Sequence, residues 1–262
     1  MEQGISRDVQ TIFRFLSPEK KEEMGFFVHD VQQQDYIAFQ SEEEVIELFD
    51  DVARQFITSL TPQELETLKH YTSFTYKEIN AIMRNKWNYE ENGALTPERK
   101  LQYQKIGYEI SEILYKCPSL NTNIKVYRGT SLRQFHDYGI RTLQDLKAME
   151  GNYMYETSFT STSLLRKKSL LGMKNFFTGE RNVEIEYLIP ASCQDGGVLL
   201  GTDTSYYASE NEYLINSSSL AKVLSVEVDE KNNKAFVRAI LIPKMLWDPP
   251  YFIEQEKTNT KG

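Results

Sequence analysis

The chain has 262 residues, 40% hydrophobic and 26% charged, with a net charge of −8. That length can bury one large core or two small ones. The acidic balance opposes tight binding to a nucleic-acid backbone, which calls for clustered Lys and Arg, and no apolar run reaches the ~18 residues that suggest a membrane span.

Two cysteines, Cys117 and Cys193, make no disulfide framework, and with His29, His70 and His136 they lack metal-ligand spacing. Neither glycine-rich nucleotide loop, Gly-x-Gly-x-x-Gly or Gly-x4-Gly-Lys-Ser/Thr, is present. The polar residues 1–10 lack the basic-then-apolar pattern of a secretory signal. Either the protein is not exported by that route or the chain is a mature or trimmed form.

In chain order, the first 120 residues read as helix. Ser41 with Glu44, Thr61 with Glu64 and Thr75 with Glu78 fit capping boxes, and Pro62 and Pro97 suit a first helical turn. These signals predict helices over 42–58, 62–70, 76–88 and 97–116, with an earlier one near 7–16. Val45, Leu48, Phe49, Val52 and Phe56 form a core stripe. In the helix from Tyr76, Ile79, Ile82 and Met83 supply the buried side, while Tyr76, Asn80 and Arg84 recur at i, i+4 and i+8 on a polar-aromatic face. Taken alone, such a face is more often solvated than functional.

Near residue 123 the texture changes to strands, predicted at 124–128, 155–163, 183–187, 198–200, 212–215, 222–228 and 235–242, with short helices near 142–149 and 167–177. Helices followed by strands argue an α+β fold. No linker separates the halves, so one catalytic domain over 41–250 is expected, with an N-terminal extension (1–40) and a C-terminal tail (251–262). Residues 1–40 carry no motif residue, so they are expected to take no part in the site and to present Phe26, Phe27, Val28, Tyr36, Ile37 and Phe39 as a docking face, internal or for a partner.

Three weak motifs follow in order. Tyr127-Arg128-Gly129 puts an arginine at a strand end, where it suits a two-point phosphate contact, and the glycine allows close approach. Phe159-Thr160-Ser161-Thr162-Ser163 is dense in hydroxyls, with Ser161 and Ser163 on one side. Glu210-Asn211-Glu212 enters an apolar strand, and residues two apart there would project together. Paired carboxylates repel, and a cationic substrate or transition state offsets that. Glu-x-Glu also occurs at Glu42, Glu64, Glu184 and Glu254, so no motif decides alone.

Together they resemble the Arg, Ser-Thr-Ser, Glu-x-Glu signature of bacterial exoenzyme-type mono-ADP-ribosyltransferases, a class that includes actin-modifying binary toxins and single-domain exoenzymes. Residues 71–84 resemble the helix whose Asn and Arg contact NAD in that family. Tyr207 stands where actin-modifying members carry a substrate-facing aromatic. Phe176, Phe177 and Arg181 resemble the loop that covers nicotinamide and phosphates. The spacing of Phe177 and Arg181 departs from the pattern, and Arg166, Lys167 and Lys168 offer alternative cations.

The resemblance spans about residues 42–243. It implies N-terminal helices on two small, roughly perpendicular β-sheets, with NAD as co-substrate in the cleft and no metal. It assigns catalysis to Glu212, Glu210, Ser161 and Arg128, and NAD binding to Arg128, Asn80, Arg84, Tyr76, Gly129, Ser161, Phe177 and Arg181. Tyr207 and Glu210 would meet the acceptor, an arginine of a target protein with actin as first candidate. A toxin or effector, secreted or delivered into a target-cell cytosol by a delivery partner, fits that class, as does a phage enzyme. The competing readings are an NAD glycohydrolase and a binding module that has lost catalysis.

Overall fold

The computed structural model describes residues 4–87, 93–169, 182–193, 197–201, 204 and 211–247. Its helical part comprises α1 (Arg7–Phe15), α2 (Pro18–Val31), α3 (Glu42–Ser59), α4 (Pro62–His70), α5 (Tyr76–Met83) and α6 (Pro97–Leu114). Ser6, Ser17, Ser41, Thr61 and Thr96 each accept a backbone N–H at a helix start, satisfying donors that the helix itself leaves orphaned. Thr61 and Glu64 form the full reciprocal capping box.

Thr75 does not cap α5. A π-helical turn, Tyr71–Thr75, joins α4 to α5 without a break, so no helix start exists there, and the Thr75 hydroxyl donates to His70 O at 3.2 Å. At its far end α5 stops earlier than the periodicity predicts. Arg84 is its C-cap and Asn85 takes φ +53°, the left-handed geometry that ends helices. The sequence reading also lacked α2, which starts at Ser17-Pro18.

The strands are β1 (Ile124–Thr130), β2 (Tyr153–Glu156), β3 (Thr160–Ser163), β4 (Val183–Ile189), β5 (Gly197–Leu199), β6 (Glu212–Ile215), β7 (Ser219–Asp229) and β8 (Lys234–Ile242), followed by a short α7 (Lys244–Trp247). The class is α+β, as expected. Hydrogen bonding joins the described strands into one mixed sheet, in the order β2-β7-β8-β4-β1-β3-β6-β5, where two sheets were expected. The reason is local: between β1 and β3 the one registered pair is Tyr127↔Ser163, so two sheet parts meet at a single rung. The predicted strand 155–163 is two strands. Glu156 accepts from Ser158 N at 3.1 Å, a turn that separates β2, beside β7, from β3, beside β6.

Three apolar cores hold these layers. Phe39, Phe49, Phe135 and Leu146 pack with Val126, Ile185 and Val237 of the sheet. Phe56, Leu68, Ile79 and Ile110 from the helices pack on Phe159, Val198 and Leu214. The third core sets α1, α2 and α7 against β7 and β8 through Ile12, Met24, Val28, Leu220, Ile240 and Trp247. The N-terminal extension is thus built into the core. Of its expected docking face, Val28 and Phe39 are buried while Phe26 is 61% exposed.

Candidate active site

The three motif strands come together at one place. β1 presents Arg128, whose Nη1 donates to Ser161 O on β3 at 3.1 Å, across the single-rung junction. β3 and β6 are antiparallel, with Ser163 opposite Glu212 and Ser161 opposite Leu214. Residues opposite or two apart share a face, so Ser161, Ser163 and Glu212 lie on the same side. The Ser163 hydroxyl is engaged with Leu165, accepting its N–H at 3.2 Å and donating to its carbonyl at 3.1 Å. Gly129 follows Arg128 in β1, in register with Glu184.

The polar face of α5 completes the site. Ile79 and Ile82 bury one side of that helix, which leaves Tyr76, Asn80 and Arg84 along another. Tyr76 is exposed, with Lys77 Nζ 5.8 Å from its ring centroid. The π-turn ahead of α5 sets Tyr71 inward, edge-on to Phe159 at 5.1 Å, with its hydroxyl donating to Asn80 Oδ1 at 3.4 Å. Such turns recur at functional sites because one inserted residue re-aims a helix face.

Electrostatics ties these elements together. Burial raises the Tyr71 pKa, as does the Glu212 charge, while the Asn80 hydrogen bond, Arg84 and Arg128 oppose it. One phenol therefore senses groups from α5, β1 and β6. Burial likewise pushes Tyr187 up to about 12, with Arg128 and Arg84 opposing and Glu156 adding to the rise. Both phenols stay neutral at physiological pH and act there as hydrogen-bonding groups.

Arg84, Arg128, Lys86 and Arg133 line a cleft of about 330 Å³, with Glu156, Asp137 and Tyr187. Four cations in a half-enclosed hollow suit a diphosphate. Lys86 pairs with Asp137, and Arg84 makes a two-point contact to Glu156, Nε to Oε1 at 3.0 Å and Nη2 to Oε2 at 3.2 Å. Among the described residues no group of three His, Cys, Asp or Glu is placed to hold a metal ion.

One expectation needs correction. The pairing of Glu210 and Glu212 assumed one continuous strand through both. β6 starts at Glu212, and Asn211 takes φ +47°, so strand alternation does not run across that residue. Arg166 and Lys168 are ion-paired within the protein. Arg166 Nε pairs with buried Glu184 at 2.6 Å, and Lys168 pairs with Glu42 at 2.7 Å. From the N-terminal extension, Ser6 and Asp8 line the same cleft as Arg84 and Arg128. Glu210, Tyr207, Phe176, Phe177 and Arg181 lie outside the described residues. Sequence reasoning passed over Glu156 and Tyr71 as site residues. Tyr71 carried a signal, since it begins the stretch that resembles the NAD-contacting helix.

A family model described as ADP-ribosyltransferase exoenzyme matches residues 48–244, three quarters of the chain, including α5, Arg128, Ser161 and Glu212. The chain belongs to the ADP-ribosyltransferase exoenzyme family. A curated relative, the NAD(+)–arginine ADP-ribosyltransferase EFV of Enterococcus faecalis, is 28% identical over 168 residues. That match takes in 63% of this chain but only 29% of the relative, so the chain spans less than a third of that protein's length.

Among solved structures, C3stau2 from S. aureus, determined with NAD, superposes with a TM-score of 0.60 at 14% identity, over 80% of this chain and all of that one. Plx2a, an ADP-ribosyltransferase toxin from Paenibacillus larvae, gives 0.59 at 23% identity, over 79% of this chain and 99% of its own. At these identities the likeness is one of fold. The helices and mixed sheet of this family member follow the fold of those solved structures.

Proposed function

We propose that this ADP-ribosyltransferase cleaves the nicotinamide–ribose bond of NAD and transfers ADP-ribose to an arginine of a target protein, as a toxin or effector. The observation that carries this reading is the meeting of the motif strands, where Arg128 Nη1 donates to Ser161 O at 3.1 Å and β3 sets Ser163 opposite Glu212 on β6. A carboxylate and two guanidiniums in one place match the two ends of the chemistry. The cations suit the diphosphate, and Glu212 suits the sugar.

Departure of neutral nicotinamide leaves positive charge on the ribose, much as in glycoside hydrolysis. Glu212, fixed at the start of β6, stabilises that charge. A preorganised group of this kind lowers the barrier by on the order of 3–4 kcal/mol. Ser161 lies on the same face as Glu212 and diagonal to it, and in this reading its neutral hydroxyl orients the carboxylate. Arg128 holds the diphosphate, with Arg84 and Asn80 from α5, while Tyr76 and Gly129 border the nucleotide. Phe177 and Arg181 are assigned to cover it.

Glu210 takes the acceptor role: it orients a guanidinium and removes its proton as the nitrogen attacks. Tyr207 would face the target protein, for which actin is the first candidate. The arginine assignment draws support from the Glu210 position and from the named activity of the E. faecalis relative.

The test is to incubate the protein with labelled NAD and a cell lysate, then map the labelled residue. Label on arginine confirms the reading. Nicotinamide release with no labelled protein would make the enzyme a glycohydrolase, and label on another residue type would remove the arginine assignment.

A further inference from the structure

Glu156 belongs to none of the motifs, yet it lines the cleft beside Arg84. Its side chain is 16% exposed and accepts both bonds of the Arg84 fork, at 3.0 and 3.2 Å. It also accepts from Ser158 N at 3.1 Å and from the Ser158 hydroxyl at 3.0 Å. One carboxylate thus ties the end of α5 to the turn that leads into β3, the strand of Ser161. Burial alone would raise its pKa, but Arg84 and then Arg128 outweigh that, so it lies below the ordinary value and the group is ionised.

A surface ion pair would need no explanation. This one is largely enclosed, and it places a negative charge where a diphosphate is to bind. An anion there weakens phosphate binding through space unless it does something else. What it does is geometric. A guanidinium has five N–H donors in a fixed fork. Contacts through Nε and Nη2 fix the plane of Arg84 and leave further donors for another acceptor. The same charge offsets the repulsion between Arg84 and Arg128, the two cations that act on Glu156.

We infer that Glu156 is a positioning residue for the transferase: it holds the Arg84 guanidinium opposite Arg128 so that the two grip the NAD diphosphate together. The inference rests on the reading of this cleft as the NAD site. Glu156 acts through Arg84 and touches no reacting atom, so its loss falls on NAD binding and not on the chemical step.

The experiment is a double-mutant cycle of Glu156→Gln and Arg84→Ala on the full chain, following nicotinamide release and NAD binding by calorimetry. Glu156→Gln is expected to raise KM and Kd for NAD by about tenfold, with kcat changed by less than about threefold. The double variant is expected to bind no worse than Arg84→Ala alone, because the two residues work as a unit. Glu156→Asp keeps the charge with a shorter reach and should fall between wild type and Glu156→Gln. It serves as the test if the glutamine variant does not fold.

A Glu156→Gln protein with wild-type KM and Kd would overturn the inference, as would effects that simply multiply in the double variant. A wild-type protein that neither binds NAD nor releases nicotinamide would instead overturn the functional reading, and this inference with it.

Discussion

Lys168 Nζ donates to Asn211 Oδ1 at 2.5 Å, which ties the segment after the Ser-Thr-Ser strand to the residue immediately before Glu212. Leu164 N adds a backbone bond to Asn211 O at 3.1 Å, and Glu42 on α3 anchors the lysine from behind. The entry to β6 is therefore clamped from two sides, at a residue in left-handed geometry. Position 211 should tolerate glycine and reject β-branched residues. Asn211→Val is expected to cost ~1–2 kcal/mol, and Asn211→Gly less than ~1 kcal/mol, as read by urea denaturation. Equal stability of the two variants would show that the backbone there is not constrained.

The two glutamates should separate. Glu212→Gln is expected to abolish both nicotinamide release and protein labelling, because every route passes through the ribose cation. Glu210→Gln should lose arginine labelling yet keep appreciable NAD hydrolysis, since water needs no partner to orient a guanidinium. Both variants should bind NAD nearly as well as wild type. Measuring the two activities side by side decides it, and equal loss of both in Glu210→Gln removes the acceptor role.

Arg128→Lys keeps the charge but loses the planar fork and its bond to Ser161 O. We expect at least a tenfold rise in KM for NAD, corresponding to ~1.4 kcal/mol. NAD affinity equal to wild type would make Arg128 a purely structural link between β1 and β3.

Acid should act through Glu156. Its folded pKa is lowered from 4.5, so the stability it contributes is fully present above that value and is lost as pH falls through the folded pKa. Wild type should therefore lose unfolding free energy below about pH 4.5 more steeply than Glu156→Gln. Other carboxyls titrate in both proteins, so the difference between the two curves isolates this one. Parallel curves would mean that the Arg84 contact does not hold the carboxylate in solution.

β5 is closely fitted to β6. A Cβ on Gly197 would lie 2.2 Å from the hydroxyl of Tyr213, a side chain only 2% exposed. Gly197→Ala should cost ~1–3 kcal/mol by overpacking, seen as a lower denaturation midpoint. A gain in stability would show that Tyr213 can move aside.

Much of the fold was legible in the sequence because its signals are local. Caps at Ser41 and Thr61 and the stripe from Val45 to Phe56 involve neighbours three or four residues apart. The misses share one physical cause, that the deciding partner is distant in the chain. Glu156 meets Arg84 across 72 residues, and nothing beside it in the sequence marks the contact. The break between β2 and β3 hides in a run of strand-favouring residues, because the turn depends on where the Glu156 side chain folds back. Thr75-x-x-Glu78 fits a cap on paper, but α4 continues into it through the π-turn, and a helix that does not start needs no cap. In the site, the order of Arg128, Ser161 and Glu212 was readable, whereas the geometry at Asn211 depends on Lys168, 43 residues away.

The single rung Tyr127↔Ser163 has a mechanical consequence. Arg128 rides on one part of the sheet and Glu212 on the other, so the narrowest pairing among the described strands runs between the residue proposed to grip the phosphates and the one proposed to face the sugar. A dinucleotide that touches both spans that seam as a brace spans a joint. Each turnover would stiffen the enzyme when NAD enters and release it when nicotinamide leaves. Amide exchange along β1 and β3 would then slow together, as one cooperative unit, only while the intact dinucleotide is in place.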